Sequence, residues 1–157
     1  MQVAVVGVGQ SLRGDDAVGL EVLRQWQENF PETAGRPEVR IEACELPGMA
    51  LLDMFQDVDA AIFVDAIQGR FIPGTVRLLD ESELSAFLSD SKSAHGWGLA
   101  ETLRLGSTLT GVTIKTKVIG IQIEQTLIGS ELSKFVKEAV PIACDVLQKE
   151  VNRILCE

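Results

Sequence analysis

The amino-acid sequence predicts an α/β fold with a central, mostly parallel sheet and helices on both of its faces. Short apolar runs bounded by turn signals recur along the chain, and such runs are typical of buried strands. Segments with the 3.6-residue period of amphipathic helices lie between them. The 157 residues fit a single domain, residues 1–157, that can bury a substantial core.

The first twenty residues combine a strand, a glycine-rich loop and the start of a helix. Val3–Val6 is a short β-branched run typical of a buried strand. Three glycines follow and indicate a tight turn with close backbone approach: Gly7, Gly9 and Gly14. Asp15 and Asp16 then precede a helix expected from Asp15 to about Asn29. We assign Asp15 to the cap of this helix, because a carboxylate is favoured at a helix N-terminus.

The remaining elements follow from the same patterns. Further strands are predicted at 38–44, 60–64, 75–79 and 112–123, and further helices at 49–55, 81–88, 97–105 and 131–156. The polar segment 31–37 is expected to be a loop. The strand at 75–79 follows the previous strand after a short turn, which suggests an antiparallel neighbour. We expect Gly120 to bulge the last strand and Pro141 to kink or divide the last helix.

The composition argues against several classes of partner. The formal net charge is −9, with no basic run, so neither nucleic acid nor an anionic membrane surface is expected to bind. No apolar run approaches the roughly 18 residues of a membrane span. No basic segment of a signal peptide precedes the first strand, and the three cysteines have no C-x-x-C spacing. We therefore expect a cytoplasmic protein with reduced thiols.

Three residues are candidates for chemistry at one edge of the sheet. Asp16 follows the first strand, Asp65 follows the third, and His95, the only histidine, lies in a loop of small residues. The carboxyl ends of parallel strands meet at one edge, so Asp16 and Asp65 can converge there and a loop carrying His95 can cover them. Two carboxylates and an imidazole suit a first-row divalent metal with open positions, and they also suit acid–base catalysis.

Each candidate also has a simpler structural explanation. Asp16 could serve only as a helix cap, Asp65 could stabilise a turn, and His95 could be an exposed loop residue. The hypothesis therefore depends on the three residues together. A Cys44–His95 pair is conceivable, but a cysteine in a strand is more often a small core residue.

Other well-known motifs fit this sequence less well. The segment Gly7–Leu12 lacks the third glycine of the dinucleotide-binding fingerprint. A nucleotide-binding domain would also need an acid after the second strand, for which Glu42 and Glu45 are candidates. The sequence contains neither a phosphate-binding loop nor a Gly-x-Ser-x-Gly elbow.

Four segments together resemble a known family. They are GVGQSLRGDDAVG at Gly7–Gly19, Phe63–Ala66, Pro73–Thr75, and Ser93–His95 followed by Gly98 and Leu99. This set resembles the hydrogenase maturation proteases, which process the large subunit of nickel–iron hydrogenases. The resemblance implies a three-layer α/β/α sandwich around a twisted five-stranded sheet.

The same resemblance implies the function. The protein would be an aspartic-type endopeptidase that removes the C-terminal extension of the large-subunit precursor after nickel insertion. Asp16, Asp65 and His95 would be its metal-binding and catalytic residues and would meet nickel carried by the precursor. No organic cofactor is expected, and the protein is expected to be a monomer. The alternative is a non-catalytic, nickel-checking chaperone or binding module for the large subunit.

The sequence departs from the family pattern at three places. Gln10 replaces the usual Asn and Ala17 replaces a frequent Gly. Ala43–Leu46 replaces the segment commonly found after the second strand, which is associated with the choice of substrate. The sequence therefore leaves open which hydrogenase is the target.

Overall fold

The computed structural model describes residues 1–45, 53, 56–69, 71–80, 82–83, 111 and 114–157. They contain a five-stranded sheet of order β2-β1-β3-β5-β4. The strands are β1 Val3–Val8, β2 Val39–Cys44, β3 Ala60–Ile67, β4 Val76–Asp80 and β5 Lys115–Gln122. Four strands are parallel, and β4 pairs antiparallel with β5. The predicted mostly parallel sheet with one antiparallel strand is therefore confirmed.

The described helices are α1, Val18–Asn29, the single turn α2, Pro31–Ala34, and a C-terminal helix, Lys134–Leu155. A 3₁₀ turn, Gly14–Ala17, precedes α1, so the regular helix begins three residues later than predicted. The segment predicted as a loop after α1 instead begins with α2. Proline is favourable at the first position of a helix, which explains the start of α2 at Pro31.

Both faces of the sheet are buried. Side chains alternate along each strand, so Val3 and Val5 of β1 join one core cluster whereas Val6 and Val8 join the other. The first cluster includes residues of α1 and of the C-terminal helix, which pack against each other. At their contact the indole nitrogen of the fully buried Trp26 donates a 2.9 Å hydrogen bond to Gln148.

The prediction that β4 neighbours β3 is wrong, because β5 lies between them. The residues from Val118 to Gln122 are all buried, so β5 needs cover on both faces and a strand on either side. In β4 only Leu79 is buried, and Arg77 is exposed, which suits a strand at the edge of the sheet. The order of these strands therefore follows from how much of each strand is buried, and not from the short connection between β3 and β4.

Two further expectations concern the last strand and the last helix. Gly120 makes no bulge, since the pairing of β3 with β5 runs without interruption through Asp65 opposite Gly120. A methyl group at Gly120 would lie 2.9 Å from the side chain of Ile67, so this glycine provides space for its neighbour. Pro141 lies inside the C-terminal helix and does not divide it.

The helices predicted at 49–55, 81–88 and 97–105 lie outside the described residues, apart from Asp53, Ser82 and Glu83. His95 also lies outside them. All three cysteines are free, in agreement with the expected reduced thiols. No helix in the described ranges is long and apolar enough to cross a membrane.

Candidate active site at the carboxyl edge of the sheet

Gly19 brings the start of α1 against the carboxyl ends of β1 and β3. A methyl group at this position would overlap the carbonyl oxygens of both Val8 and Val64. A residue with a side chain would therefore push the helix away from the sheet. The close approach holds the turn that precedes α1 over the residues that follow Val64.

Asp16 lies on this turn, one helical turn before Gly19. Its side chain is 1% exposed, and its Oδ2 accepts a 2.9 Å hydrogen bond from the backbone N–H of Gln10. A methyl group at Gly9 would overlap the carbonyl oxygen of Asp16. The predicted close backbone approach in the glycine loop is thus confirmed, and it packs the loop onto the turn that carries Asp16.

Asp65 lies inside β3, which continues to Ile67, and not directly after the strand as predicted. It is the residue after Val64 and is 1% exposed. The alternation of β3, with Phe63 in the second core cluster and Val64 in the first, directs the Asp65 side chain to the face opposite α1. The 3₁₀ turn that carries Asp16 contacts β3. Asp16 and Asp65 are therefore both buried at the same edge of the sheet.

Asp15 does not cap α1, contrary to the prediction from sequence. No side-chain cap hydrogen bond is present at the start of the 3₁₀ turn or of α1. Instead the fully buried Asp15 carboxylate accepts hydrogen bonds from the backbone N–H groups of Glu124, Gln125 and Ser133, at 2.9, 3.1 and 2.7 Å. It also accepts one of 2.6 Å from the Ser133 hydroxyl.

These bonds connect the 3₁₀ turn to the segment between β5 and the C-terminal helix. Ser133 is the N-cap residue of that helix, so Asp15 holds the start of a helix remote in sequence. In return, the backbone N–H of Asp15 donates a 3.0 Å hydrogen bond to the carbonyl of Gln125. Two adjacent aspartates thus have different surroundings, with Asp15 bound to the segment before the C-terminal helix and Asp16 bound to the loop after β1.

Glu45 and Ser11 join the end of β2 to the loop after β1. One carboxylate oxygen of Glu45 accepts hydrogen bonds from the backbone N–H of Ser11, at 3.1 Å, and from its hydroxyl, at 2.8 Å. These two donors lower the pKa of Glu45 below its usual value. Glu45 is part of the segment where the sequence departs from the family pattern, so the departure has a defined structural role.

Two buried carboxylates at one edge can bind a cation or exchange protons with a substrate. Burial disfavours the charged form of each carboxylate, and a bound cation offsets this cost. Within the described ranges no three His, Cys, Asp or Glu side chains form a metal-binding group. The placement of His95 as the third ligand remains a prediction.

The fold and this edge define an α/β protein with a candidate binding site at the carboxyl ends of parallel strands. A family model described as hydrogenase maturation protease matches residues 40–150. A putative hydrogenase maturation protease from Methanocaldococcus jannaschii is 30% identical over 155 residues, covering 96% of this chain and 97% of that protein. The chain belongs to the hydrogenase maturation protease family.

Further relatives agree with this assignment. The solved structure of the hydrogenase maturating endopeptidase HybD from Escherichia coli superposes with a TM-score of 0.84 at 25% identity. That alignment covers 98% of this chain and 93% of HybD. The hydrogenase expression/formation protein HupD from Thiocapsa roseopersicina is 25% identical over 147 residues, which are 92% of this chain. The chain spans only 65% of HupD.

Proposed function

We propose that the protein is an endopeptidase that removes the C-terminal extension of a nickel–iron hydrogenase large-subunit precursor after nickel insertion. We further propose that it recognises the nickel carried by this substrate. The observation that carries the proposal is the burial of Asp16 and Asp65 at one edge of the sheet, in a chain of the hydrogenase maturation protease family.

Asp16, Asp65 and His95 are the proposed ligands of the substrate's nickel. Carboxylate and imidazole groups are suitable ligands for a first-row divalent metal. Because nickel arrives with the precursor, binding it also positions the peptide bond next to the metal. Positioning alone removes much of a reaction barrier.

A water molecule then attacks the positioned peptide bond. Its activation follows one of two routes, with the metal acting as a Lewis acid or with a carboxylate of Asp16 or Asp65 acting as a base. In either route the loop that carries Gln10 fixes Asp16, because its backbone N–H donates to Oδ2. The cytoplasm, where a precursor is synthesised, is the proposed location, and the monomer is the proposed working form.

The decisive experiment compares two forms of one precursor. The purified protein is incubated with a large-subunit precursor loaded with nickel, verified by metal analysis, and with the same precursor lacking nickel. Intact-mass spectrometry should show loss of the C-terminal extension only from the loaded form. Cleavage of both forms would contradict nickel recognition, and cleavage of neither would contradict the protease function.

The same experiment tests the chaperone alternative. A non-catalytic binding module that uses the same residues would retain the loaded precursor in a complex and leave its mass unchanged. Gel filtration of the incubated mixture, followed by mass measurement of the precursor, separates the two functions.

A further inference from the structure

Large apolar side chains are exposed around the carboxyl edge of the sheet. Seven are exposed in the described part of the chain, and five of them lie in segments at this edge: Leu12, Ile72, Leu127, Ile128 and Phe135. Their positions follow from the fold, since these segments follow β1 and β5, precede β4 or begin the C-terminal helix. Clustered apolar exposure of this kind is typical of interaction surfaces.

Three of these side chains lie on two adjacent turns. Leu12 lies in a turn closed by the N–H of Arg13 and the carbonyl of Gln10, at 3.2 Å. Leu127 and Ile128 lie in a turn closed by the N–H of Ser130 and the carbonyl of Leu127, at 3.1 Å. We call Leu12, Leu127 and Ile128 the apolar rim.

A backbone hydrogen bond joins the two turns of the apolar rim. The N–H of Gly129 donates to the carbonyl of Leu12 at 2.8 Å. The rim side chains are 73%, 65% and 81% exposed for Leu12, Leu127 and Ile128, respectively. Turn positions are usually filled by Gly, Pro, Asn, Asp or Ser, so the turns themselves do not require these apolar side chains. The exposure of these three apolar side chains to solvent therefore needs another explanation.

The apolar rim is held in place before any partner binds. The side chain of Gln125 accepts a 2.7 Å hydrogen bond from the N–H of Leu127 and donates one of 3.1 Å to the carbonyl of Glu131. The backbone of Gln125 is in turn held by Asp15. A surface ordered in this way loses little conformational entropy on binding, which favours affinity.

The apolar rim adjoins the loop that holds the Asp16 carboxylate. Leu12 belongs to the loop in which the N–H of Gln10 binds the Asp16 carboxylate. A cleft of about 300 Å³ opens beside the same loop and is lined in part by Ser11, Gly14 and Ser130. A protein that brings its C-terminal tail to Asp16 has the rim within reach of its folded body, because Leu12 and Gln10 belong to the same loop.

We infer that the apolar rim is the docking surface for the folded body of the large-subunit precursor. The matching surface of the precursor is an apolar patch next to the start of its C-terminal extension. This inference rests on the proposed function. A second copy of the chain is the other possible occupant, but each copy carries a net charge of −9, which opposes self-association.

The test compares substitutions of exposed apolar residues inside and outside the rim. The double variant Leu127→Ser/Ile128→Ser removes two rim side chains, and Leu12→Ser removes the third from the neighbouring turn. Ile142→Ser is the matched control, because Ile142 is 56% exposed on the C-terminal helix, outside the rim. Circular dichroism checks that each variant is folded, and processing of nickel-loaded precursor gives KM and kcat.

We expect the double variant to raise KM about tenfold or more with kcat nearly unchanged, because the rim is proposed to contact the body of the precursor and not the peptide bond that is cut. Leu12→Ser should act in the same direction, and Ile142→Ser should behave as the unmodified protein. If the rim variants match Ile142→Ser, the inference is overturned and the proposed function stands. If the unmodified protein does not shorten the precursor, the proposed function itself fails.

Sedimentation measurements test whether a second copy of the chain, instead of the precursor, occupies the rim. The unmodified protein should sediment as a monomer at the concentrations of the assay. If it sediments as a dimer that the rim variants convert to monomers without a change in KM, the rim is a contact between copies and the inference is overturned.

Discussion

The Asp15 carboxylate accepts hydrogen bonds from both the backbone N–H and the hydroxyl of Ser133, across a separation of 118 residues. This pair connects the turn before α1 to the N-cap residue of the C-terminal helix. Because Asp16 follows Asp15 directly, the same contact limits the movement of a proposed nickel ligand. A structural residue and a candidate catalytic residue are thus neighbours in one short turn.

We expect Asp15→Ala to lower the free energy of unfolding by about 3 kcal/mol, because it removes a buried charged acceptor and leaves four part-buried donors without it. Ser133→Ala removes only the hydroxyl donor and should cost about 1 kcal/mol. Urea unfolding monitored by circular dichroism measures both. Asp59→Ala is the control, since Asp59 accepts one hydrogen bond, from Gln2, at an exposed site. Equal losses for the Asp15 and Asp59 variants would contradict the anchoring role.

Gly19→Ala should be destabilising, because its methyl group would overlap the carbonyl oxygens of Val8 and Val64. Overpacking of this kind costs about 1–3 kcal/mol. Gly35→Ala is the control, since Gly35 is exposed and its added methyl group would lie 3.0 Å from a single carbonyl oxygen, that of Pro31. Thermal unfolding of the two variants should therefore differ by several degrees, and equal midpoints would argue against a tight contact at Gly19.

Asp16→Asn and Asp65→Asn should each reduce processing of nickel-loaded precursor about 100-fold or more, because each removes a proposed metal ligand or base while keeping the side-chain shape. Asp59→Asn provides a matched exposed control. Intact-mass spectrometry of the precursor over time measures the rates. If either variant is folded and processes the precursor at a near-normal rate, the proposed role of that aspartate in the site is contradicted.

His95→Ala should abolish processing and leave the fold intact, because His95 is proposed to bind nickel and not to support the core. Processing rates and the thermal midpoint are measured on the same sample. A second readout is the affinity for nickel-loaded precursor, which should fall towards that for unloaded precursor. Normal processing by His95→Ala would show that the two aspartates act without it.

Cys144 should resist alkylation in the folded protein. Burial, followed by the nearby charges of Asp145 and Glu21, raises the pKa of Cys144 to about 11, so little thiolate forms at pH 8. Cys156 is exposed and should react first with iodoacetamide. Peptide mass spectrometry, before and after addition of denaturant, assigns the modified thiols. Equal rates for Cys144 and Cys156 without denaturant would contradict the burial of Cys144.

The sequence predicts most of the described fold because strand and helix patterns are local. The apolar run at the start of β1 and the helical period after Val18 each appear within a short window. The neighbour of β4 cannot be predicted from a short window, because the position of β5 in the sheet depends on burial over the whole molecule. The segments predicted as helices at 49–55, 81–88 and 97–105 stay predictions, apart from their few described residues.

The candidate site could be predicted in part for the same reason. Asp16 and Asp65 each come after a short apolar run of a strand, and the parallel pairing of β1 with β3 brings both to one edge. The role of Asp15 could not be read locally, since Glu124, Gln125 and Ser133 are 109 to 118 residues away. The sequence around a polar turn residue such as Gln125 does not indicate that Asp15 is its hydrogen-bond partner.

The partners of Asp15 also set an order of events during synthesis. A ribosome releases the segment with Asp15 and Asp16 long before it releases Glu124 and Ser133, because synthesis runs from the N-terminus. Until then the Asp15 carboxylate lacks all of its described donors. A partly synthesised chain can therefore form the contacts of Gly19 with β1 and β3 and the hydrogen bond from Gln10 to the turn before α1, but it lacks the bonds that hold Asp15 until the start of the C-terminal helix has been made.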